Sequence, residues 1–375
     1  MEYDCCVIGI GRLGLCFAVT LENTGLKVVG VDVNHEYVNK INTKQLHSDE
    51  PELSNALKLT KNFTATTNLN EAVINSRNIF ILVATPTDGG KYYYDHNCLS
   101  DVLVKLNNLE LRDKSIIINS TVFPGYIKHI GNVLLDKCER CTLSYNPAFV
   151  AQGDVMSGYK TGGWFGMVLI GAANDEVADK LTQLYKNIVK GRDDVNICIM
   201  TPESAEICKL ASNCFRTMKI SFANMIGDIA DKTIGADKHD ICNALKSDKS
   251  IGPICMTPGY GFGGPCYPRD NKALAMYSAK LGIRPLIPRA VDDYNDIHHD
   301  IITKKMFEST DDIIEFENVT YKPNCAVAMI DKSPKLEVAY ALSRMGRCVK
   351  IKDRYSVIIE VMKEYGDAFT YETIN

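Results

Sequence analysis

Short apolar runs alternate with helical stretches through the first half of the chain. Cys5–Ile8 is apolar and runs into glycine, Lys27–Val31 ends at Asp32, and Ile79–Val83 ends at Thr85-Pro86-Thr87. Ser115–Ile118 ends at Ser120-Thr121, Thr142–Tyr145 at Asn146-Pro147, and Val168–Ile170 at Gly171; Val195–Ile199 follows. Helical patterns such as Gly14–Asn23, Leu99–Leu106 and Ala178–Val189 lie between them. This alternation predicts a parallel sheet covered on both faces. Ligands of such sheets sit at the carboxyl ends of the strands, so Thr85–Thr87, Ser120-Thr121 and Asn146 mark the place for a site.

The pattern changes at Thr201-Pro202-Glu203, which reads as N-cap, first-turn proline and acidic first turn. Apolar residues then recur at helical spacing to about Ile234, a helix of roughly 48 Å and a natural spine between domains and subunits. Shorter helices are predicted at Lys238–Leu245, Asn271–Leu281 and Leu286–Phe307. Asp311–Asn324 is acidic and weakly patterned and reads as a linker. Beyond it, strand (Ala326–Ile330), helix (Lys335–Met345), strand (Cys348–Ile351) and helix (Val357–Glu364) predict a small α/β unit.

With 375 residues the chain is too long for one ordinary core. Its 42 basic and 46 acidic residues nearly balance, which argues against nucleic acid or an anionic membrane as main partner. No apolar run approaches the roughly 20 residues that span a bilayer, and the start has no basic signal-peptide region. The 14 cysteines are scattered within apolar runs, as expected of thiols in a reducing cytoplasm rather than a disulfide scaffold.

Gly9-Ile10-Gly11-Arg12-Leu13-Gly14 follows the first strand and opens a helix, and Asp32 closes the second strand. The glycines permit close approach to a pyrophosphate at a helix N-terminus, while Asp32 accepts from a ribose diol and repels a 2′-phosphate. This predicts a Rossmann-type dinucleotide site that takes NAD in preference to NADP. The run from Pro258 to Asp270 contains Gly259, Gly261, Gly263 and Gly264, which would let backbone amides approach a ligand. Cys266 follows near the start of a predicted helix, where amides favour a thiolate. Cys138-Glu139-Arg140-Cys141 lacks the second pair of a zinc site, His298-His299 reads as a polar helix surface, and no metal is expected. Glu206, Lys209 and Asn213 share a helix face that by spacing alone reads as exposed and salt-bridged.

In this order the pieces resemble the UDP-glucose/GDP-mannose dehydrogenase family across nearly the whole chain. The resemblance rests on Val7–Asp32, Val83-Ala84-Thr85-Pro86-Thr87, Ser120-Thr121-Val122, Asn146-Pro147, Lys209-Leu210-Ala211-Ser212-Asn213, Lys219-Ile220-Ser221-Phe222, the run from Gly261 to Asp270, and Tyr321-Lys322-Pro323-Asn324 with Ser333-Pro334. Together with the element pattern, the long helix and the scattered cysteines, it implies a cytoplasmic homodimer with an NAD-binding domain (1–200), a helical central domain (201–310) and a shortened C-terminal nucleotide-sugar domain (311–375). It also implies a four-electron oxidation of a nucleotide sugar, UDP-glucose first and GDP-mannose or a UDP-N-acetylhexosamine as alternatives. Cys266 would then be the nucleophile, Lys209 would stabilise oxyanions or shuttle protons, Asn213 would donate to the same oxygens, Asp270 would position the lysine and a water, and Thr121 would orient that water. Gly9, Gly11, Arg12, Leu13, Gly14, Asp32, Thr85, Pro86, Thr87, Ser120 and Thr121 would bind NAD. Phe149, Val150, Gln152, Lys209, Asn213, Tyr260, Gly261, Phe262, Gly263, Gly264 and Lys322 would bind the sugar nucleotide. Three positions depart from the family. Ala148 replaces the glutamate of Asn-Pro-Glu-Phe, which is the general base for thioester hydrolysis. Ser250 replaces the arginine of Arg-Ile-Gly. Thr161-Gly162-Gly163-Trp164 lacks the usual Asn-Pro-Asp. The first two leave open a homologue that binds its ligands but turns over poorly.

Overall fold

A computed structural model describes residues 2–87, 93–163 and 166–374; Trp164 lies outside them. The chain forms two compact units, residues 1–209 and 210–375.

The first unit is built on an eight-stranded sheet: β1 (Tyr3–Ile8), β2 (Val28–Val31), β3 (Phe63–Thr66), β4 (Ser76–Ile81), β5 (Ser115–Ile118), β6 (Thr142–Tyr145), β7 (Met167–Gly171) and β8 (Asn196–Met200). The strand order is β3-β2-β1-β4-β5-β6-β7-β8. Successive side chains of a strand point to opposite faces, and β1 shows the result. Cys5 and Val7 enter one core with Phe17 and Leu21, while Cys6 and Ile8 enter the other with Leu99 and Leu103. Burial on both faces is why β1 and β2 read as continuous apolar runs rather than alternating ones.

Two features differ from the sequence reading. The edge strand β3 is an addition: its sequence Phe-Thr-Ala-Thr alternates buried and less buried positions and carries too little apolar character to stand out. The sheet is also not wholly parallel, because β6 and β7 meet antiparallel through Tyr145 and Gly171. Gly171 is required at this seam, since a Cβ there would lie 2.8 Å from both the Ala205 Cβ and the Pro202 Cα at the start of the long helix.

The long helix runs Pro202–Asp231. Thr201 caps it, its hydroxyl accepting from the Ser204 amide. The second unit continues with helices Lys238–Ser247, Tyr267–Lys280 and Leu286–Phe307. It ends in a parallel three-stranded sheet of order β11-β10-β9, formed by β9 (Ile313–Glu317), β10 (Cys348–Asp353) and β11 (Thr370–Thr373). Helices Pro334–Arg344 and Tyr355–Tyr365 pack against this sheet.

The expected linker at Asp311–Asn324 therefore contains a strand. Ile314 and Phe316 are buried while Ile313, Glu315 and Glu317 face outward, so the acidic residues are the solvent face of β9. Lys352 of β10 reaches Glu315 at 2.7 Å. Conversely, Ala326–Ile330 is not a strand. Val327 and Ile330 are buried, but the backbone there folds on itself, with the Met329 amide donating to the Val327 carbonyl and the Tyr321 amide to the Met329 carbonyl.

Candidate functional site

In the first unit the turn after β1 places Gly9–Gly14 at the start of helix Arg12–Glu22, with Gly11 as an N-cap that brings no side chain to the first amides. Gly9 has φ +85° and a Cβ there would sit 2.8 Å from the Leu82 carbonyl; at Gly14 it would sit 1.9 Å from the Gly9 carbonyl. Gly11 has open space around it. Two glycines thus let the protein close on itself, and the third leaves room for a ligand. Asp32 follows β2 with one carboxylate oxygen accepting the Asn34 amide, leaving acceptor capacity for a ribose diol. Open amides, open space and an acidic strand end fit a dinucleotide. Arg12 donates to the Gln152 side chain, joining a predicted cofactor residue to a predicted substrate residue. Leu13 packs on the first core.

The polar strand ends are partly consumed by the protein. Thr85 donates to the Thr121 carbonyl at 2.8 Å and Ser120 to the Val83 carbonyl at 2.6 Å, both hydroxyls being buried ties between the β4 and β5 loops. The Pro86 carbonyl accepts the Asp95 amide, Thr87 pairs with Tyr94, and Thr121 stays half-buried. Asn146 is a structural knot: its side chain accepts from the Tyr185 hydroxyl and donates to the Leu169 carbonyl at 2.8 Å.

The face carrying Glu206 and Lys209 is not exposed as its spacing suggested. Glu206 is fully buried, and its carboxylate accepts the Gly125 and Ile127 amides at 2.6 and 2.8 Å. Burial outweighs those two donors and pushes its carboxyl up to about 7. Lys209 is buried, donating to the Ala148 carbonyl at 2.8 Å with its ammonium 4.3 Å from the Phe149 ring centre. Val150 packs against Gly158, where a Cβ would lie 2.9 Å from its Cγ1.

In the second unit Cys266 is exposed and is the N-cap of helix Tyr267–Lys280, which begins one turn earlier than its sequence pattern suggests because Pro268 suits a first turn. Asp270 is fully buried in that turn. It accepts from the Asn213 amide at 2.7 Å and from Arg269 Nε at 3.2 Å. Asn213 is itself buried.

The glycine run is shaped by protein neighbours more than by ligand access. A Cβ at Gly261 would meet Asn295 and His299, one at Gly263 would lie 1.8 Å from the Lys332 carbonyl, and one at Gly264 would strike the Tyr321 ring. Three side chains that sequence reasoning missed hold its backbone. Asn224 accepts from the Gly259 amide and donates to the Tyr260 carbonyl. Asn295 accepts from the Phe262 amide and donates to the Phe262 carbonyl. His298 places Nε2 2.6 Å from the Gly259 carbonyl and Nδ1 2.8 Å from Asp228. His298 is therefore a buried tie, not helix surface. The spacing of Asn295 and His298, one helical turn apart, is the only sequence signal for it. Lys335 lies 5.6 Å over the Tyr260 ring and Lys322 5.8 Å from the Tyr321 ring centre. Ser250 is exposed and bonds Asp248, while Lys219 closes the same loop by donating to the Ile251 carbonyl.

Comparison with known proteins agrees with this layout. The NAD binding domain model of the UDP-glucose/GDP-mannose dehydrogenase family matches residues 3–189, and its central domain model matches residues 203–297. GDP-mannose 6-dehydrogenase of Pseudomonas aeruginosa is 26% identical over 389 residues, covering 96% of this chain and 84% of its own. UDP-glucose 6-dehydrogenase of the same organism is 28% identical over 367 residues, covering 93% and 78%. A solved UDP-glucose dehydrogenase from the archaeon Pyrobaculum islandicum matches with a TM-score of 0.86 at 26% identity, covering 99% of this chain and 86% of that one. Among the described residues no helix is long and apolar enough to cross a membrane.

Proposed function

The chain belongs to the UDP-glucose/GDP-mannose dehydrogenase family, and on that premise we propose that it oxidises C6 of UDP-glucose from alcohol to carboxylate through a covalent intermediate on Cys266. NAD, when bound, takes up the hydrides of the two oxidation steps. Everything else falls to the chain's own residues. The Cys266 sulfur adds to the C6 aldehyde, forming a C–S bond while the aldehyde oxygen gains a proton. Loss of the second hydride leaves a thioester, and attack by water releases the carboxylate and returns the thiolate. The Lys209 cation and the Asn213 amide stabilise negative charge on the C6 oxygen, Asp270 holds Asn213, and Thr121 orients the water. Lys322 and the segment Phe149–Gln152 contact the sugar nucleotide.

The observation that carries this reading is the exposed Cys266 at a helix N-terminus, one turn ahead of the buried Asp270–Asn213 pair. Buried cysteines such as Cys5 and Cys214 are unsuited to the role: burial raises the Cys5 thiol to about 12 and pushes Cys214 higher still. A second copy of the chain is part of the proposal, supported by the exposed Phe215, Phe222 and Ile229, which recur every second turn of the long helix. A cytoplasmic setting belongs to it as well, on the scattered cysteines of the sequence.

NADH production with UDP-glucose, GDP-mannose and UDP-N-acetylhexosamines tests the reading. UDP-glucose turning over with the highest kcat/KM supports it, and another sugar leading the panel reassigns the substrate. A second reading, a protein that binds NAD and nucleotide sugar with little turnover, is favoured by Ala148. Tight binding of both ligands without NADH would establish that one.

A further inference from the structure

Arg216 lies one turn beyond Asn213 on the long helix and is almost wholly buried, at 8% exposure. Its Nη1 sits 2.9 Å from the Ser212 carbonyl, 2.7 Å from the Ser212 hydroxyl and 3.2 Å from Asn213 Oδ1. The other end of the same carboxamide donates from Nδ2 to Asp270 Oδ2 at 2.7 Å. The amide therefore lies between a cation at its oxygen and an anion at its nitrogen. Turning it over would set oxygen against carboxylate and N–H against guanidinium, two repulsive contacts in a buried place.

A guanidinium is costly to bury, so its position on this face needs a reason. Its surroundings supply one. The charge of Arg216 opposes the upward push of burial on the Cys255 thiol and on the Tyr267 hydroxyl, the latter at about 12. Tyr267 follows Cys266 directly, so Arg216 lies near the start of the helix that carries the nucleophile.

We propose that Arg216 is a positioning residue for the oxidation: it locks the Asn213 carboxamide so that one Nδ2 hydrogen is held by Asp270 and the other is offered to the substrate oxygen. This rests on the proposed function, in which Asn213 stabilises charge on the C6 oxygen. An amide free to turn would spend part of its time presenting a lone pair to that oxygen. Removing a single oxyanion donor costs about 10²–10³ in kcat, so loss of its orientation should cost about tenfold or more.

The test is a cycle of four proteins: wild type, Arg216→Met, Asn213→Ala and the double variant. With the nucleotide sugar that wild type oxidises, Arg216→Met should lower kcat about tenfold or more while KM stays within about threefold, the pattern of an interaction made in the transition state. The double variant should be no slower than Asn213→Ala alone, because Arg216 acts through that amide. Wild-type kcat in Arg216→Met, or losses that multiply in the double variant, overturn the proposal. Arg216→Lys, which keeps the charge and one donor, is carried through the same cycle in case the methionine variant does not fold; it should fall between wild type and Arg216→Met. Unfolding midpoints of the same proteins give an arm that needs no turnover. The shift caused by Arg216→Met should be smaller in the Asn213→Ala background than in wild type, and equal shifts overturn the contact itself. A wild type inactive on every nucleotide sugar, with coupled midpoints, would defeat the proposed function and leave the amide lock standing.

Discussion

Lys209 donates to the carbonyl oxygen of Ala148 at 2.8 Å and holds its ammonium 4.3 Å from the centre of the Phe149 ring. The lysine is thereby anchored to the segment that follows β6. Neither Ala148 nor Phe149 is among the residues proposed to hold NAD. Lys209→Met should therefore leave NAD binding within about threefold and lower kcat by about 10²–10³, as for loss of one charge-stabilising donor. Cofactor titration by fluorescence and steady-state NADH formation check the two halves of this expectation. Near-normal kcat would remove Lys209 from the chemistry.

Cys266→Ala should bind NAD normally and form no acid product, a loss of several orders of magnitude because Cys266 is the group proposed to carry the acyl intermediate. Alkylation gives an independent check. Cys98, Cys266 and Cys348 are the exposed cysteines, so iodoacetamide should label all three, and peptide mapping should find protection by UDP-glucose at Cys266 alone. Inactivation that tracks Cys98 or Cys348 would move the nucleophile elsewhere.

The sequence was most legible where burial on two faces wrote a continuous apolar run, as at Ile116–Ile118 of β5, whose limits agree with its pattern residue for residue. It was least legible where a strand has one wet face. In β9, Glu315 and Glu317 made a core strand look like a linker, and Val327 and Ile330 made a buried turn look like a strand. The same blindness affects the site. Helical spacing puts Glu206 and Lys209 on one face, and only tertiary packing shows that this face is buried. The amides of Asn224 and Asn295 serve the glycine run through contacts that local pattern does not encode.

Glu206 gives the protein a pH-dependent stability of predictable sign. Its carboxyl moves from 4.5 to about 7 on folding, burial being the first cause. Between those values the folded protein keeps a proton that the unfolded chain has lost. The stability this provides is complete below about 4.5 and disappears as pH rises to about 7. Glu206→Gln removes the titration, although its amide hydrogens will sit badly against the Gly125 and Ile127 donors. Urea midpoints at pH 5 and pH 8 should thus fall less in the variant than in wild type, whatever the offset between the two proteins. Parallel declines would assign the pH dependence to other groups.

On the proposed mechanism, Ala148 should make hydrolysis the rate-limiting step. Its carbonyl is taken by Lys209 and its methyl packs at the edge of the first core, so position 148 offers no group that can take a proton from water. In the proposed mechanism thiol addition and both oxidation steps do not call on that position, whereas thioester hydrolysis does. General-base assistance is typically worth about 10²–10⁴-fold, and Thr121 or Asp270 can orient a water without supplying all of it. Rapid mixing with UDP-glucose should therefore give a burst of NADH, up to about two per active site by the four-electron stoichiometry, followed by slow turnover. Mass spectrometry of the quenched enzyme should find the acyl adduct on the peptide containing Cys266. Ala148→Glu should raise the steady rate and shrink the adduct while NAD affinity stays the same, because the Gly9–Gly14 turn and Asp32 are untouched. A linear time course without a burst, together with a glutamate variant no faster than wild type, would show that hydrolysis is not the slow step and that the chain supplies its base from another residue.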